Sequence, residues 1–373
     1  MRRRRRYPWT GVVVVAIMGV LLSPGAWAQP PAPTAFLSPA PRLQLTGDVD
    51  SNSPVLWEVV DGQPRLFVLT STAGAPSVSA GPQLMSLSAP AAVGFVSHPG
   101  HGVWMEAVVR DEVGTWYGYY HNEVPADLCG RPDLVLPRIG AARSFDQGVT
   151  WEDLGIVLEA PPGWHICATS NQYFVGGVGD FSVVLDRNGQ DLYFFFSQYS
   201  AVPEAQGVAV ARMLWADRDA PVGRVAVWAD GVWQPPALQV DEAGELGEAV
   251  TVTWLHRAGT PLVPAEGPWH DEDPANAVFW GASVHWNRHL GQYVMLLNRA
   301  RDERWGQEGI YVAFAAALDD PSLWTAPRRL LGGGRWYPQV IGLEVIEGTD
   351  KEAGARARFF MSGVSTHYIH FRR

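Results

Sequence analysis

Apolar positions in this chain fall in short runs separated by turns, with few stretches of helical period. A first run leads into a turn carrying glycine or asparagine. A second run, richer in aromatics, follows and ends in small polar residues. The pair recurs five times: residues 53–71 around Asp61-Gly62, 104–121 around Gly114, 179–197 around Asn188-Gly189, 281–298 around Asn287 and Gly291, and 337–363 across a longer polar loop. Aromatic side chains suit pleated, half-buried surfaces, and glycines suit the tight turns between short strands. A third strand opening on glycine follows several pairs, at Gly140, Gly207 and Gly309, and a turn then leads to a fourth, outer strand. Four antiparallel strands repeated five times predict an all-β fold, a five-bladed β-propeller of four-stranded blades over residues 41–373. Residues 41–45 are expected to give the last blade its outer strand and close the ring. A β-sandwich is the competing architecture, and the fivefold recurrence of one hairpin type speaks against it.

The start of the chain reads differently. Arg2 to Arg6 form a positive stretch, residues 12–22 a short apolar run, and Ala26-Trp27-Ala28 a small-x-small cleavage pattern. Residues 1–28 are therefore expected to be a signal peptide, with a periplasmic or secreted mature protein. An uncleaved membrane anchor is the alternative, and no charged stop follows the apolar run. Residues 29–40 are expected to be a disordered or extended linker. No later stretch is long enough to span a bilayer, so no membrane span is expected after cleavage, and a monomer is expected.

Charge narrows the partners. The chain has 28 Lys and Arg against 38 Asp and Glu, a net charge of −10. Removing the five leading arginines leaves 23 against 38, a net charge of −15. Such a surface repels phosphate backbones, so nucleic acid is not an expected partner. Cys129 and Cys167 are the only cysteines. In an oxidising compartment they are expected to pair, two free thiols being the alternative. No cysteine cluster of metal-binding type exists. No cofactor or catalytic metal is expected, although the carboxylates of Asp271, Glu272 and Asp273 could hold a structural calcium.

Residues 144–151, Ser-Phe-Asp-Gln-Gly-Val-Thr-Trp, fit the pattern Ser-x-Asp-x-Gly-x-Thr-Trp and resemble the Asp-box of sialidases and related propellers. The motif implies a turn between third and fourth strands. Asp146 would accept backbone N–H bonds, Gly148 would take a positive φ, and Trp151 would pack beneath. In that family the box lies away from the substrate face, so its role here is structural. The five hairpins resemble those of five-bladed glycoside hydrolases of families 43, 32, 62 and 130. The resemblance implies three acids: a base opening the inner strand of blade one, an orienting acid in blade three and a proton donor in blade four. Asp180 matches the second of these. Ser53 stands at the first position, with Asp48 and Asp50 just upstream. Trp280 stands at the third, where no glutamate is present.

Hairpin geometry groups residues without the resemblance. In an antiparallel hairpin the start of the first strand and the end of the second share one edge, which in a propeller is one face of the disc. Candidate catalytic residues on that face are Asp180, Glu106, Asp50, His121 and Glu308. Candidate substrate-binding residues are Trp104, Glu123, Trp280, Arg299, Asn298, Trp336 and Tyr337. Carboxylates and amides suit sugar hydroxyls, flat aromatics suit the C–H faces of a ring, and hydrolysis of a glycoside needs two acids. His121 could replace the missing glutamate as an acid. Single acids at strand starts are more often turn caps. Asp180 stands apart because Gly176, Gly177 and Gly179 would let backbone come close to a ligand. His285, inside a strand, reads as a satisfied core histidine. Three functions remain open: an exported glycosidase-type hydrolase acting on a saccharide, a non-catalytic glycan-binding propeller, or an envelope scaffold.

Overall fold

The computed structural model describes residues 32–200, 202–241, 251–267 and 277–373. The expected signal peptide and cleavage site lie outside the described residues, as do Asp271, Glu272 and Asp273. No helix among the described residues is long and apolar enough to cross a membrane.

The aromatic run Leu192–Phe196 shows how the strands build the fold. Phe194 and Phe196 point to one side of their sheet and Phe195 to the other, and all three are buried. A strand buried on both faces must be apolar at every position, and this one is. Five of the six sheets among the described residues are the blades of a β-propeller, and the sixth is a two-stranded hairpin of Ala237–Asp241 with Thr251–Leu255. Blade one holds Val55–Val60, Gln63–Thr72, Ala75–Gly81 and Ala91–Ala92. Blade two holds Gly102–Arg110, Trp116–Ala126, Arg131–Ser144 and Thr150–Leu158. Blade three holds Val178–Leu185, Asp191–Gln198, Gly207–Leu214 and Ala226–Ala229. Blade four holds Val278–Asn287, Gln292–Ala300, Gln307–Ala315 and Arg328–Gly332. Blade five holds Pro338–Gly342, Arg356–Met361, Val364–Arg372 and, from the start of the chain, Thr34–Gln44.

Five apolar cores lie between consecutive blades and close the ring. Met105 and Trp116 of blade two pack on Phe67 and Leu69 of blade one. Tyr119 packs on Phe194 between blades two and three. Phe195 meets Met295 and Leu297 between three and four. Val294 and Phe314 meet Phe359 and Phe371 between four and five. Ile341 and Phe360 meet Val55 and Val68 between five and one.

Three features depart from the sequence reading. The ring-closing strand begins at Thr34, ahead of Pro41, and pairs with Val364–Arg372. The first part of residues 29–40, up to 31, lies outside the described residues; residues 34–40 are strand, because Phe36 stacks on His370 and Leu37 packs on the blade-five core. Blades two, three and four each carry a fifth strand. Gly94–Ser97 and Glu352–Ala353 join blades two and four in parallel, and Val232–Gln234 extends blade three. His285 is buried, yet neither ring nitrogen has a partner.

The turn at residues 144–151 joins the third and fourth strands of blade two. Asp146 Oδ1 accepts Thr150 N–H at 2.8 Å, and Oδ2 accepts the Thr150 hydroxyl. Gly148 has φ +84°, and Trp151 is buried with its Nε1–H on Gly148 O at 3.0 Å.

Candidate active site

One structural device repeats at the inner strands of blades two, three and four. The register of each first hairpin slips by one residue, between Met105 and Ala107, between Gly179 and Ser182, and between Trp280 and Ser283. Such a bulge leaves an extra residue unpaired and re-aims its side chain. The extra residue of blade two is Glu106. In blade three the bulge contains Asp180, whose φ of +39° is rare for a non-glycine. In blade four it follows Trp280. All three side chains line a cavity of about 220 Å³ on one face of the disc.

The cavity has an acidic wall and an aromatic wall. Asp50, Glu106, Glu123 and Asp180 form the first, with His121 among them. Glu106 Oε2 accepts Phe181 N–H at 2.8 Å. His121 Nδ1 accepts Asp180 N–H at 3.1 Å, and Nε2 faces Glu123 Oε1 at 3.2 Å. Asp180 takes two phenol donors, Tyr199 O–H on Oδ2 and Tyr337 O–H on Oδ1 at 3.2 Å. Asp50 accepts Trp104 Nε1–H at 2.9 Å and Ala73 N–H at 3.0 Å. The aromatic wall is Tyr173, Phe174, Trp280, Trp305, Trp336 and Tyr337, with Trp104 on the acidic side. Phe174 stacks on Tyr199 at 4.2 Å, and Trp280 meets Trp305 edge-on at 4.5 Å. Trp305 at φ +62° and Tyr337 at φ +54° join Asp180 in the left-handed region. Backbone held there is strained, and such strain collects at functional sites.

Burial and like charge set the protonation of the acids. Burial holds Glu106 well above the usual carboxylate range, and the neighbouring Asp180 charge adds to it. Burial also raises Asp180, but His121 and the Tyr199 hydroxyl oppose this. Asp180, with two O–H donors, is the acid that ionises first, and Glu106 keeps its proton longer. Burial raises Asp50 too, against its two N–H donors. For His121, burial disfavours the charged ring, while Glu123, Asp180 and Glu106 outweigh it and push the imidazole up to about 9. The Asp180 N–H aimed at Nδ1 works against that charge. In the geometry shown, Nδ1 accepts this N–H and Nε2 carries the ring proton toward Glu123, so a second ring proton would displace the Asp180 N–H.

The nearest ligand atoms of Glu106, His121 and Asp180 lie within 4.8 Å of one another, a spacing that a metal ion could span. The hydrogen bonds argue against it. His121 has committed both nitrogens, and both oxygens of Asp180 are held by phenols.

The structure gathers Asp50, Glu106, His121, Asp180, Trp104, Glu123, Trp280, Trp336 and Tyr337 as the sequence reading expects. It does not gather Glu308, Arg299 or Asn298. Adjacent strand residues point to opposite faces. Arg299 pairs with Glu266 at 2.7 Å and lies over Phe279 and Tyr311. Glu308 accepts the Tyr311 hydroxyl at 2.8 Å and pairs with Arg329. Asn298 is fully buried, holding Gly281 O and Gln307 Nε2. The glycines before Asp180 serve protein packing, not a ligand: a Cβ on Gly179 would stand 2.4 Å from His121 Cε1, and one on Gly176 2.1 Å from Trp164 O.

Sequence reasoning missed Tyr173, Phe174 and Trp305. The first two sit in the loop after blade two. Asn171 Oδ1 caps both of their N–H groups, and strand-like bonds to Val135 fix the loop. The Cys129–Cys167 disulfide is formed and ties that loop to the blade-two hairpin. Trp305 closes a turn in which Asp302 Oδ1 accepts Gly306 N–H at 2.8 Å. Asp302 with Gly306 is the turn signature that could have located it.

No family model matches the sequence, and no curated protein matches it. Solved structures similar in fold include an endo-arabinase from Bacteroides thetaiotaomicron, with 12% identity, 89% of this chain and 97% of that chain covered, and TM-score 0.49. A thermostable family-43 glycoside hydrolase has 11% identity, coverage of 88% and 92%, and TM-score 0.47. The catalytic domain of a family-62 α-L-arabinofuranosidase from Coprinopsis cinerea has 7% identity, coverage of 90% and 96%, and TM-score 0.43.

Proposed function

We propose that this chain is an exported glycoside hydrolase that acts on one sugar unit at the end of a saccharide. One observation carries the reading: Glu106 and Asp180 share one cavity with ligand atoms within 4.8 Å, in environments that separate their protonation. Acid and nucleophile of a retaining glycosidase stand roughly 5–5.5 Å apart, and an inverting pair roughly 6.5–9.5 Å. The pair here is nearer the retaining spacing than the inverting one. Glu106, protonated, gives its proton to the leaving oxygen as the glycosidic C–O bond breaks. Asp180, ionised, bonds the anomeric carbon. Water then attacks that carbon, gives its proton to Glu106 and frees Asp180. The cavity is smaller than the roughly 300–1,000 Å³ of sites for drug-sized ligands, which suits a single ring. The apolar segment after Arg2–Arg6 and the disulfide both suit an oxidising compartment outside the cytoplasm.

Trp280, standing where an acid would be expected in blade four, favours a second reading: a glycan-binding propeller without turnover. Aryl glycosides and natural oligosaccharides separate the two. Hydrolysis that falls roughly 10²–10⁴-fold in both Asp180→Asn and Glu106→Gln supports the enzyme. Saccharide binding with no product supports the second reading, and neither binding nor turnover across the panel defeats both.

A further inference from the structure

The cavity presents four carboxylates and a wall of π-faces, an excess of negative charge over its one imidazole. Among the described residues no lysine or arginine lines it, and His121 is its one basic side chain against four acids. Glu123, on the cavity side, meets only His121 through Oε1. Glu106 Oε1 has no hydrogen bond and stands 3.8 Å from His121 Nδ1. Glu123 is near enough to Asp50 to disfavour the Asp50 charge. An anionic sugar would add to this repulsion, and a neutral one would leave it uncompensated. A protonated amine would relieve it. Across from these acids stand Trp336, Trp280 and Tyr337, whose ring faces attract an organic cation. Trp280 also keeps a buried indole N–H without a partner.

Resting on the saccharide reading, we infer that the cavity selects a sugar carrying a free, protonated amino group, with Glu123 and Asp50 as the ammonium's partners and the aromatic wall on the ring's C–H face. The surface charge of the chain, −10 overall, favours the approach of such a basic saccharide. An N-acetylated sugar loses the charge and brings a bulkier amide into a cavity of about 220 Å³.

Calorimetric titration of the full chain with three trisaccharides of one linkage tests this: the glucosamine form, its N-acetylated form and the glucose form. The glucosamine form is expected to bind at least about tenfold more tightly than either other, and that preference is expected to shrink as salt rises. In Glu123→Gln the ratio of glucosamine to glucose affinity is expected to drop below about threefold, a ratio that a folding defect would not change selectively. Equal or tighter binding of the N-acetylated or glucose form overturns the amine selectivity and leaves the saccharide reading standing. No binding of any of the three overturns both.

Discussion

The Tyr337 hydroxyl of blade five donates to Asp180 Oδ1 at 3.2 Å, joining residues at opposite sides of the ring's central opening. Both residues sit at positive φ, 54° and 39°. Backbone in that region costs about 1–3 kcal/mol per residue and persists only where its surroundings hold it. Here the holding groups at Asp180 are the blade-three bulge and the Tyr199 phenol on Oδ2. Against burial, the same contact adds to His121 and the Tyr199 phenol in favouring the ionised Asp180, so a change at Tyr337 reads out at Asp180.

Tyr337→Phe keeps the aromatic body in the wall and removes one donor from the Asp180 carboxylate. The charged form loses support, so the carboxyl titrates at higher pH. The acidic limb of the pH–activity profile, or the Asp180 carboxyl signal in a carbon NMR titration, is expected to move upward. Stability should fall by only about 1 kcal/mol, the size of one net hydrogen bond. An unmoved limb would mean that the phenol does not control this acid.

Glu106 has the opposite consequence for folding. Its carboxyl is raised in the folded chain relative to the unfolded one. The folded state therefore binds the proton more tightly, and the stability this gives is present below the ordinary carboxylate range. It is lost as pH rises through the folded value. Glu106→Gln keeps an acceptor for Phe181 N–H and cannot titrate. Urea unfolding across pH is expected to show a smaller loss of stability on the alkaline side in the variant than in the parent, together with loss of hydrolysis.

Much of this arrangement was legible in the sequence. The hairpins were, because Asp61-Gly62 and Asn188-Gly189 mark turns between apolar runs and each turn does lie between paired strands. Asp180, Glu106 and His121 were, because strand ends of successive hairpins must share a face. Arg299 and Glu308 failed for a reason of the same kind: each neighbours an inward residue, Asn298 and Gln307, and so faces away. The bulges were not legible. They depend on how a strand meets its partner, and no residue at Glu106 or Trp280 announces an extra unpaired position. The aromatic wall from Tyr173 and Phe174 was also hidden, because loop residues acquire a place only through Val135, Asn171 and the disulfide.

Two buried histidines make the fold acid-sensitive. His285, between blades four and five near Phe371, and His256 have no hydrogen-bond partner on either nitrogen. Burial lowers His285 to about 3, with Lys351 adding to it, and lowers His256 to about 4. Each is neutral when folded and free to charge near pH 6.5 when unfolded. Their contribution is complete above about pH 6.5 and is lost as pH falls, by about 1.4 kcal/mol per pH unit per histidine. His285→Leu loses no hydrogen bond and should remove one such slope. Thermal melts between pH 7 and 5 that decline as steeply in the variant as in the parent would overturn this account.

The Cys129–Cys167 bridge joins stability to the site. It spans 38 positions and anchors the loop whose Tyr173 and Phe174 form the outer aromatic wall. In the chain-entropy model a closed loop of this length stabilises by about 3–4 kcal/mol. The propeller core does not depend on it, since both cysteines lie outside the five inter-blade clusters. The double substitution Cys129→Ser with Cys167→Ser is therefore expected to fold and to melt at lower temperature. Its local effect should exceed its global one. Hydrogen exchange is expected to rise first in residues 159–177, while the strands of blades three and four stay protected under native conditions. Ligand affinity should weaken as well, because Phe174 stacks on Tyr199, and Tyr199 in turn holds Asp180. Unchanged exchange in that loop, with unchanged affinity, would show that Val135 and Asn171 hold the wall without the disulfide.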